Sequence, residues 1–159
     1  MPRVKHPEVI QVLNEVLTNE LTAINQYFLH AKMFQNWNYM RLASTIRAES
    51  IDEMKHADQL IDRILYLQGL PNVQRIGHIN VGENPKEILQ SDLELEYKAI
   101  PDLQRGIKLC RDLGDEGSRV LLDAILVSEE VHVDWIEAQL EQIEQVGLPN
   151  YLAEQIRPA

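Results

Sequence analysis

Apolar residues recur every three or four positions along four long stretches of the chain, a spacing typical of amphipathic helices. In the first stretch the inward stripe contains Leu13, Leu17, Ile24, Phe28 and Ala31. These stretches predict helices over about 7–35, 39–67, 85–112 and 115–146, and a shorter pattern predicts a fifth over about 149–156. A Gly-Leu-Pro sequence ends the second and the fourth stretch, as helix stop signals commonly do. Because good helix formers dominate, the chain is predicted to be all-α.

The connections between these helices predict how they are arranged. Only a few residues join the first helix to the second and the third to the fourth, which predicts two antiparallel hairpins. The segment 69–84 shows no helical period and is long enough to cross the length of a bundle. The sequence therefore predicts one domain over 1–159, a four-helix bundle with one long crossover and a short C-terminal fifth helix.

Each of the four apolar stripes is interrupted by charged or polar side chains that would point into the bundle. These six inward residues are Glu20, Glu53, His56, Glu96, Glu129 and His132. Burying an unpaired carboxylate costs several kcal/mol unless the group is neutralised. Four such carboxylates in one core therefore predict that a cation compensates them.

The spacing of the glutamates is the same in both hairpins. The separation along the chain from Glu20 to Glu53 equals that from Glu96 to Glu129, and both midpoints fall in the predicted turns. Residues equidistant from the turn of an antiparallel hairpin lie at the same height. Each lone Glu should therefore meet a Glu-x-x-His of its own hairpin, and two such half-sites should face each other.

Four carboxylates and two imidazoles suit two divalent or trivalent metal ions. Oxygen donors without thiolates favour iron or manganese over a structural zinc site. A lone Glu-x-x-His is usually an exposed pair, but the symmetric set of six favours a dinuclear centre. The pattern resembles that of ferritin-like di-iron and di-manganese proteins.

Met54 follows Glu53 directly and lies on a second apolar stripe of the same helix, with Ile51, Ile61 and Leu65. One interpretation is a hydrophobic oligomer interface, which methionine fills well. The other is that the thioether is an axial ligand of a haem iron on a two-fold axis, where symmetry supplies a second Met.

Four segments resemble signatures of the bacterioferritin family, over nearly the whole chain and in order. They are NELTAINQYFLHAKMFQNW, ESIDEMKHAD, RILYLQGLPN and EEVHVDWIE, at 19–37, 49–58, 63–72 and 129–137. Among ferritins, Met directly after the Glu of the second helix is typical of the haem-binding branch. The resemblance implies an iron-storing ferroxidase that assembles from dimers into a 24-subunit shell around a ferric mineral.

The resemblance also implies roles for particular residues. The six inward residues would bind two irons per subunit, with Glu53 and Glu129 bridging them, Glu20 and His56 completing one site, and Glu96 and His132 completing the other. Met54 would bind haem b, one per two subunits, and a ferredoxin-type protein would be the reductase. The substrates would be Fe²⁺ and O₂ or H₂O₂.

The chain departs from the family at two positions. Ala48 stands where the family often has His, although its usual companion Asp52 remains, and Leu60 stands where an aromatic residue is common. Both positions belong to the implied route of iron and electrons to the mineral. Tyr27, Asp52 and Trp135 are predicted to lie around the inward residues. Tyr27 would hydrogen-bond a ligand, donate an electron or simply pack, and Trp135, one turn from His132, is more often a core residue than a redox relay.

Composition narrows the function classes. The formal charge of −10 in 159 residues argues against nucleic acid and anionic membranes as partners and leaves cations open. No apolar run is long enough to span a membrane and the start has no signal-peptide pattern. The single cysteine, Cys110, fits a reducing cytoplasm. Two alternatives to storage stay open: a di-iron or di-manganese oxidase or peroxidase, and a non-catalytic helical interaction module.

Overall fold

The computed structural model describes residues 6–158, so residues 1–5 and 159 of the predicted domain lie outside the described part. Five helices run in the order α1 (Pro7–Asn36), α2 (Met40–Tyr66), α3 (Pro85–Leu113), α4 (Glu116–Val146) and α5 (Leu148–Gln155). The predicted all-α bundle with a long crossover and a short fifth helix is confirmed. None of the helices in the described range is both long and apolar enough to cross a membrane.

The turns of the two hairpins are similar in conformation. Asn38 and Gly114 each take a left-handed backbone, with φ of 65° and 74°, a conformation that Gly and Asn tolerate best. The helix that follows begins differently in the two hairpins. Asp115 caps α4 by accepting a hydrogen bond from the backbone N–H of Ser118, whereas Tyr39 before α2 makes no side-chain cap.

Two buried clusters fill the bundle and lie on either side of the six inward residues in every helix. The first core cluster contains Val9, Leu13, Val16, Leu17, Ala57, Leu60, Ile64, Leu67, Leu103, Ile107, Cys110, Leu122 and Ile125. The second core cluster contains Ala23, Tyr27, Ala31, Phe34, Leu42, Ala43, Ile46, Ile88, Leu89, Ile136, Ile143 and Tyr151. Cys110 is fully buried. Phe28, which the apolar spacing of the first helix predicts to be buried, is half exposed.

The two halves of the chain correspond to each other with a constant offset along the sequence. The same offset relates Glu20 to Glu96, Glu53 to Glu129 and His56 to His132. It also relates Leu13 and Leu60 of the first core cluster to Leu89 and Ile136 of the second. The internal repeat therefore extends beyond the inward residues to the core that surrounds them.

Candidate metal centre

The structure brings the six inward residues together in the middle of the bundle. α1 and α3 supply one Glu each, and α2 and α4 supply one Glu and one His each, one helical turn apart. All six are buried, with between 1% and 9% of their surface exposed. Their donor atoms form two groups, each within 4.8 Å: Glu20, Glu53, His56 and Glu129, and Glu53, Glu96, Glu129 and His132.

The first group is arranged around the Nδ1 atom of His56. This atom lies 3.5 Å from Glu20 Oε2, 3.7 Å from Glu53 Oε2 and 3.2 Å from Glu129 Oε1. Glu20 comes from the same hairpin as His56, as its spacing predicts. Glu129 comes from the opposite hairpin, so this group joins the two halves of the bundle.

The second group is arranged in the same way around His132 Nδ1. That atom lies 3.1 Å from Glu53 Oε1, 3.7 Å from Glu96 Oε1 and 3.4 Å from Glu129 Oε2. Glu53 and Glu129 thus turn one oxygen toward each histidine. Glu20 and Glu96 each approach only one histidine.

Most donor atoms of the centre are buried without a hydrogen bond among the described residues. They are Glu20 Oε2, Glu53 Oε1, Glu96 Oε2, both oxygens of Glu129 and the Nδ1 atoms of His56 and His132. Buried polar atoms are normally satisfied, so a set of this kind indicates a missing partner. A pair of cations would satisfy all of these donors, since every one can give a lone pair to a metal.

Without a metal, protons take over part of this compensation. Burial raises the pKa of Glu96 to about 8, helped by the neighbouring Glu129. Burial opposes protonation of His56, yet the carboxylates of Glu129 and Glu53 raise its pKa to about 9. The pKa of His132 is likewise raised, by Glu129, Glu53 and Glu96 against the effect of burial. A metal that binds here must therefore displace protons.

Of the three outer residues singled out from the sequence, Tyr27 and Asp52 contact the second group. The hydroxyl of Tyr27 donates to Glu96 Oε1, and burial together with Glu96 raises the pKa of that hydroxyl. Asp52 Oδ2 lies 3.3 Å from Nε2 of His132, where it can orient the ring. Trp135 packs, partly buried, against the second core cluster.

Sequence reasoning missed four further buried polar residues near the second group: Gln26, His30, Glu49 and Asp92. Asp92 and Glu49 each precede an inward Glu by four residues, which places them one turn away on the same helix face. That spacing was the available signal. Burial raises the pKa of the Glu49 carboxyl to about 9.

Met54 lies where the sequence predicts it, on the outer side of α2. Met54 is 54% exposed, and Ile51 and Leu65 of the same helix are exposed too. Its thioether therefore points away from the metal centre and toward whatever covers this face.

The bundle topology and the two overlapping donor groups define a helical-bundle protein able to hold metal in its core. The family description "Ferritin-like domain" matches residues 10–146. The chain is 52% identical to a bacterioferritin of Streptomyces coelicolor over 155 residues, 96% of this chain and 93% of that protein. It is 50% identical to a bacterioferritin of Mycobacterium tuberculosis over 148 residues, 93% of each chain, and 43% identical to one of Brucella melitensis over 145 residues, 91% and 90% of the two chains.

With these identities over most of its length, the chain belongs to the bacterioferritin family. The resemblance predicted from the four sequence segments is confirmed.

Proposed function

We propose that the protein is a cytoplasmic iron store whose subunits oxidise Fe²⁺ to Fe³⁺ at a dinuclear centre. The observation that carries the proposal is the pair of buried four-donor groups that share Glu53 and Glu129. Family membership supports iron as the metal, and the oxygen-rich donor set is one that iron favours.

Each inward residue has a distinct role in this proposal. Glu53 and Glu129 bridge the two irons, because each turns one oxygen toward each histidine. Glu20 and His56 complete one iron site, and Glu96 and His132 complete the other.

The proposed reaction is the oxidation of two Fe²⁺ ions, and the negative charge of the donor set favours it. Two Fe²⁺ enter as substrate and displace the protons held by the inward residues. Each Fe²⁺ gives one electron, and O₂ takes both electrons and two protons to become H₂O₂; with H₂O₂ as oxidant, the same electrons and protons give two waters. Four carboxylates with a summed charge of −4 stabilise the product, because its two ions carry two more positive charges than the substrate.

Storage requires the subunits to enclose a cavity, and we propose the 24-subunit shell built from dimers. Met54 is the proposed ligand of haem b, one haem per two subunits. Its exposed thioether on an apolar helix face fits a group shared with a second copy. Haem bound there would supply electron transfer for iron release, with a ferredoxin-type reductase as the donor. Ala48 and Leu60 leave the route from the dinuclear centre to the mineral different from that of relatives carrying His and an aromatic residue.

The test is stopped-flow oxidation of Fe²⁺ by the metal-free protein at rising iron per chain. The proposal predicts a fast phase that saturates near two irons per chain, followed by slower uptake into a large assembly. Glu20→Ala should lose the fast phase, and the matched control Glu130→Ala, which removes an exposed carboxylate beside Glu129, should keep it.

Two outcomes would contradict storage. A fast phase at two irons with no further uptake would favour a di-iron oxidase or peroxidase, and rapid peroxide turnover only after manganese loading would favour the di-manganese alternative. No fast phase in the unaltered protein would mean that the inward residues do not form a ferroxidase.

A further inference from the structure

A buried polar network links the long crossover to α1 and α3, next to only one half of the metal centre. Its members Gln26, His30 and Asp92 have no exposed surface. Asp92 Oδ1 accepts a hydrogen bond from Gln26 Nε2 at 2.9 Å and lies 2.7 Å from His30 Nδ1. No step of the proposed reaction uses these residues. Their burial is compensated by hydrogen bonds except at Asp92 Oδ2, which has no partner among the described residues.

Each of the two α1 side chains also binds the backbone of the crossover. The N–H of Asn80 donates to Gln26 Oε1 at 3.0 Å, and the N–H of Gly82 donates to His30 Nε2 at 3.0 Å. Since Nε2 is an acceptor, the ring proton lies on Nδ1 and points to Asp92, which makes His30 a neutral connector. A side chain at Gly82 would collide with the backbone of Ile88 at 2.4 Å, so the crossover is seated tightly against the start of α3.

The network ends one helical turn before Glu96. Asp92 and Glu96 lie on the same face of α3, four residues apart. Tyr27, which lies between Gln26 and His30 on α1, donates its hydroxyl to Glu96 and has the backbone carbonyl of Asp92 at 3.5 Å. This part of α3 is thus bonded to α1 at two successive turns, through Asp92 and through Glu96.

Among the described residues, the other half of the centre has no equivalent buried network: Asp102, which corresponds to Gln26, is partly exposed and accepts a hydrogen bond from Asn19. By the offset that relates Glu20 to Glu96, Val16 corresponds to Asp92, Leu103 to Tyr27 and Gly106 to His30. Val16 and Leu103 belong to the first core cluster. Glu20 Oε2 has no hydrogen-bond partner among the described residues, whereas Glu96 Oε1 accepts the hydroxyl of Tyr27.

We propose that Asp92, held by Gln26 and His30, is a positioning residue that orients Glu96 for the metal shared with His132. Within residues 6–158, no corresponding buried network lies in the Glu20 and His56 half, so the two metal positions differ in how far they are preorganised. The inference rests on the proposed dinuclear centre, and deepens it by assigning a function to residues outside the donor groups.

The test is an anaerobic Co²⁺ titration of the metal-free, full-length protein, with the cobalt absorption bands as the readout. Glu20→Ala leaves mainly the Glu96 position, and Glu96→Ala leaves mainly the Glu20 position. Asp92→Val, which copies the residue of the other half, should weaken Co²⁺ binding about tenfold or more in the Glu20→Ala background. In the Glu96→Ala background it should leave binding unchanged.

Two milder changes separate positioning from general stability. Gln26→Met removes the bond from the N–H of Asn80 in the crossover and the bond to Asp92. Thr22→Val, one turn earlier, removes the bond from the N–H of Gly77 in the crossover and the bond that the Thr22 hydroxyl donates to the carbonyl of Thr18, and neither bond involves Asp92. Gln26→Met should weaken Co²⁺ binding at the Glu96 position and Thr22→Val should not, even where both lower the melting temperature equally. Asp92→Asn keeps an acceptor for both partners and should bind nearly as the unaltered protein does.

The possible failures are distinguishable. If the unaltered protein binds no Co²⁺, the dinuclear centre is wrong and this inference falls with it. If the unaltered protein binds two Co²⁺ but Asp92→Val and Gln26→Met leave the Glu96 position unchanged, or weaken both positions equally, only the positioning role is overturned.

Discussion

The two core clusters on either side of the metal centre have corresponding packing positions but differ in polarity. Corresponding positions hold Leu60 and Ile136, both fully buried. Other corresponding positions differ in polarity: Ile125 corresponds to Glu49. Likewise, Leu103 and Val16 of the first core cluster correspond to Tyr27 and Asp92. The two halves thus agree in the residues that pack the bundle and in the candidate metal ligands. Among the described residues they differ around Glu96, where one half carries buried groups that donate hydrogen bonds or hold protons.

The largest effect is expected from removing a carboxylate that belongs to both donor groups. Glu53→Ala should abolish tight binding at both metal positions and slow Fe²⁺ oxidation more than about 100-fold, since even outer partners of a ligand are worth ten- to 100-fold. Glu20→Ala should leave one tight position. The measurement is the number of Co²⁺ bound per chain, and retention of two by Glu53→Ala would contradict bridging.

Because the two clusters pack at corresponding positions, truncating corresponding core residues should lower the free energy of unfolding by similar amounts. Leu60→Ala and Ile136→Ala should each lower the free energy of unfolding by about 2–5 kcal/mol, because each leaves a cavity in a fully buried layer. The measurement is urea unfolding of the metal-free protein at one fixed protein concentration, since assembly also contributes to stability. A large difference between the two variants would show that the clusters are not equivalent as packing.

The protons of the metal-free centre predict how stability depends on pH. The pKa of His56 is about 9 in the fold against an ordinary 6.5, so its contribution is complete below pH 6.5 and is lost as the pH rises through about 9. The pKa of Glu96, about 8 against an ordinary 4.5, acts in the same direction from pH 4.5 to 8. The metal-free protein should therefore lose stability as the pH rises across this range.

Chemical unfolding at pH 6 and pH 9 measures this effect. His56→Gln should flatten the dependence, because it removes one of the groups that binds a proton more tightly in the fold. Co²⁺ should reverse the dependence, since metal binding is stronger where fewer protons compete. Equal stability of the metal-free protein at both pH values would contradict the proton-held centre.

The sequence predicted the bundle and the convergence of the inward residues because local signals carry both. Gly-Leu-Pro stops place the helix ends, and the equal spacing of the glutamates about each turn places Glu20 beside the Glu-x-x-His of α2. The Asp92 network could not be predicted in this way. Its members are 62 and 66 residues apart along the chain, and nothing local shows that the crossover returns to α1.

Periodicity also misplaced Phe28, which is half exposed. Phe28 continues the spacing of the α1 stripe, but the bundle buries only part of a wide apolar stripe, so a residue at the edge of the stripe stays exposed.

The smallest expected effect lies at the hairpin turns, where the halves of the repeat also differ. Asp115 accepts hydrogen bonds from the N–H and the hydroxyl of Ser118 and pairs with Arg63 at 2.8 Å. The corresponding Tyr39 makes no side-chain cap. Asp115→Ala should therefore lower the free energy of unfolding by about 1 kcal/mol, and Asp115→Asn, which keeps a capping oxygen, by less.

The pH dependence of this loss identifies its cause. Burial alone would raise the pKa of Asp115, but the bonds from Ser118 and Arg63 lower it below the ordinary 3.8. A lowered folded pKa stabilises the protein above pH 3.8, and that part of the stability is lost as the pH falls through the folded value. The gap between the unaltered protein and Asp115→Ala should thus narrow in acid. A gap that stays constant down to pH 2 would show that Asp115 acts through packing and not as a charged cap.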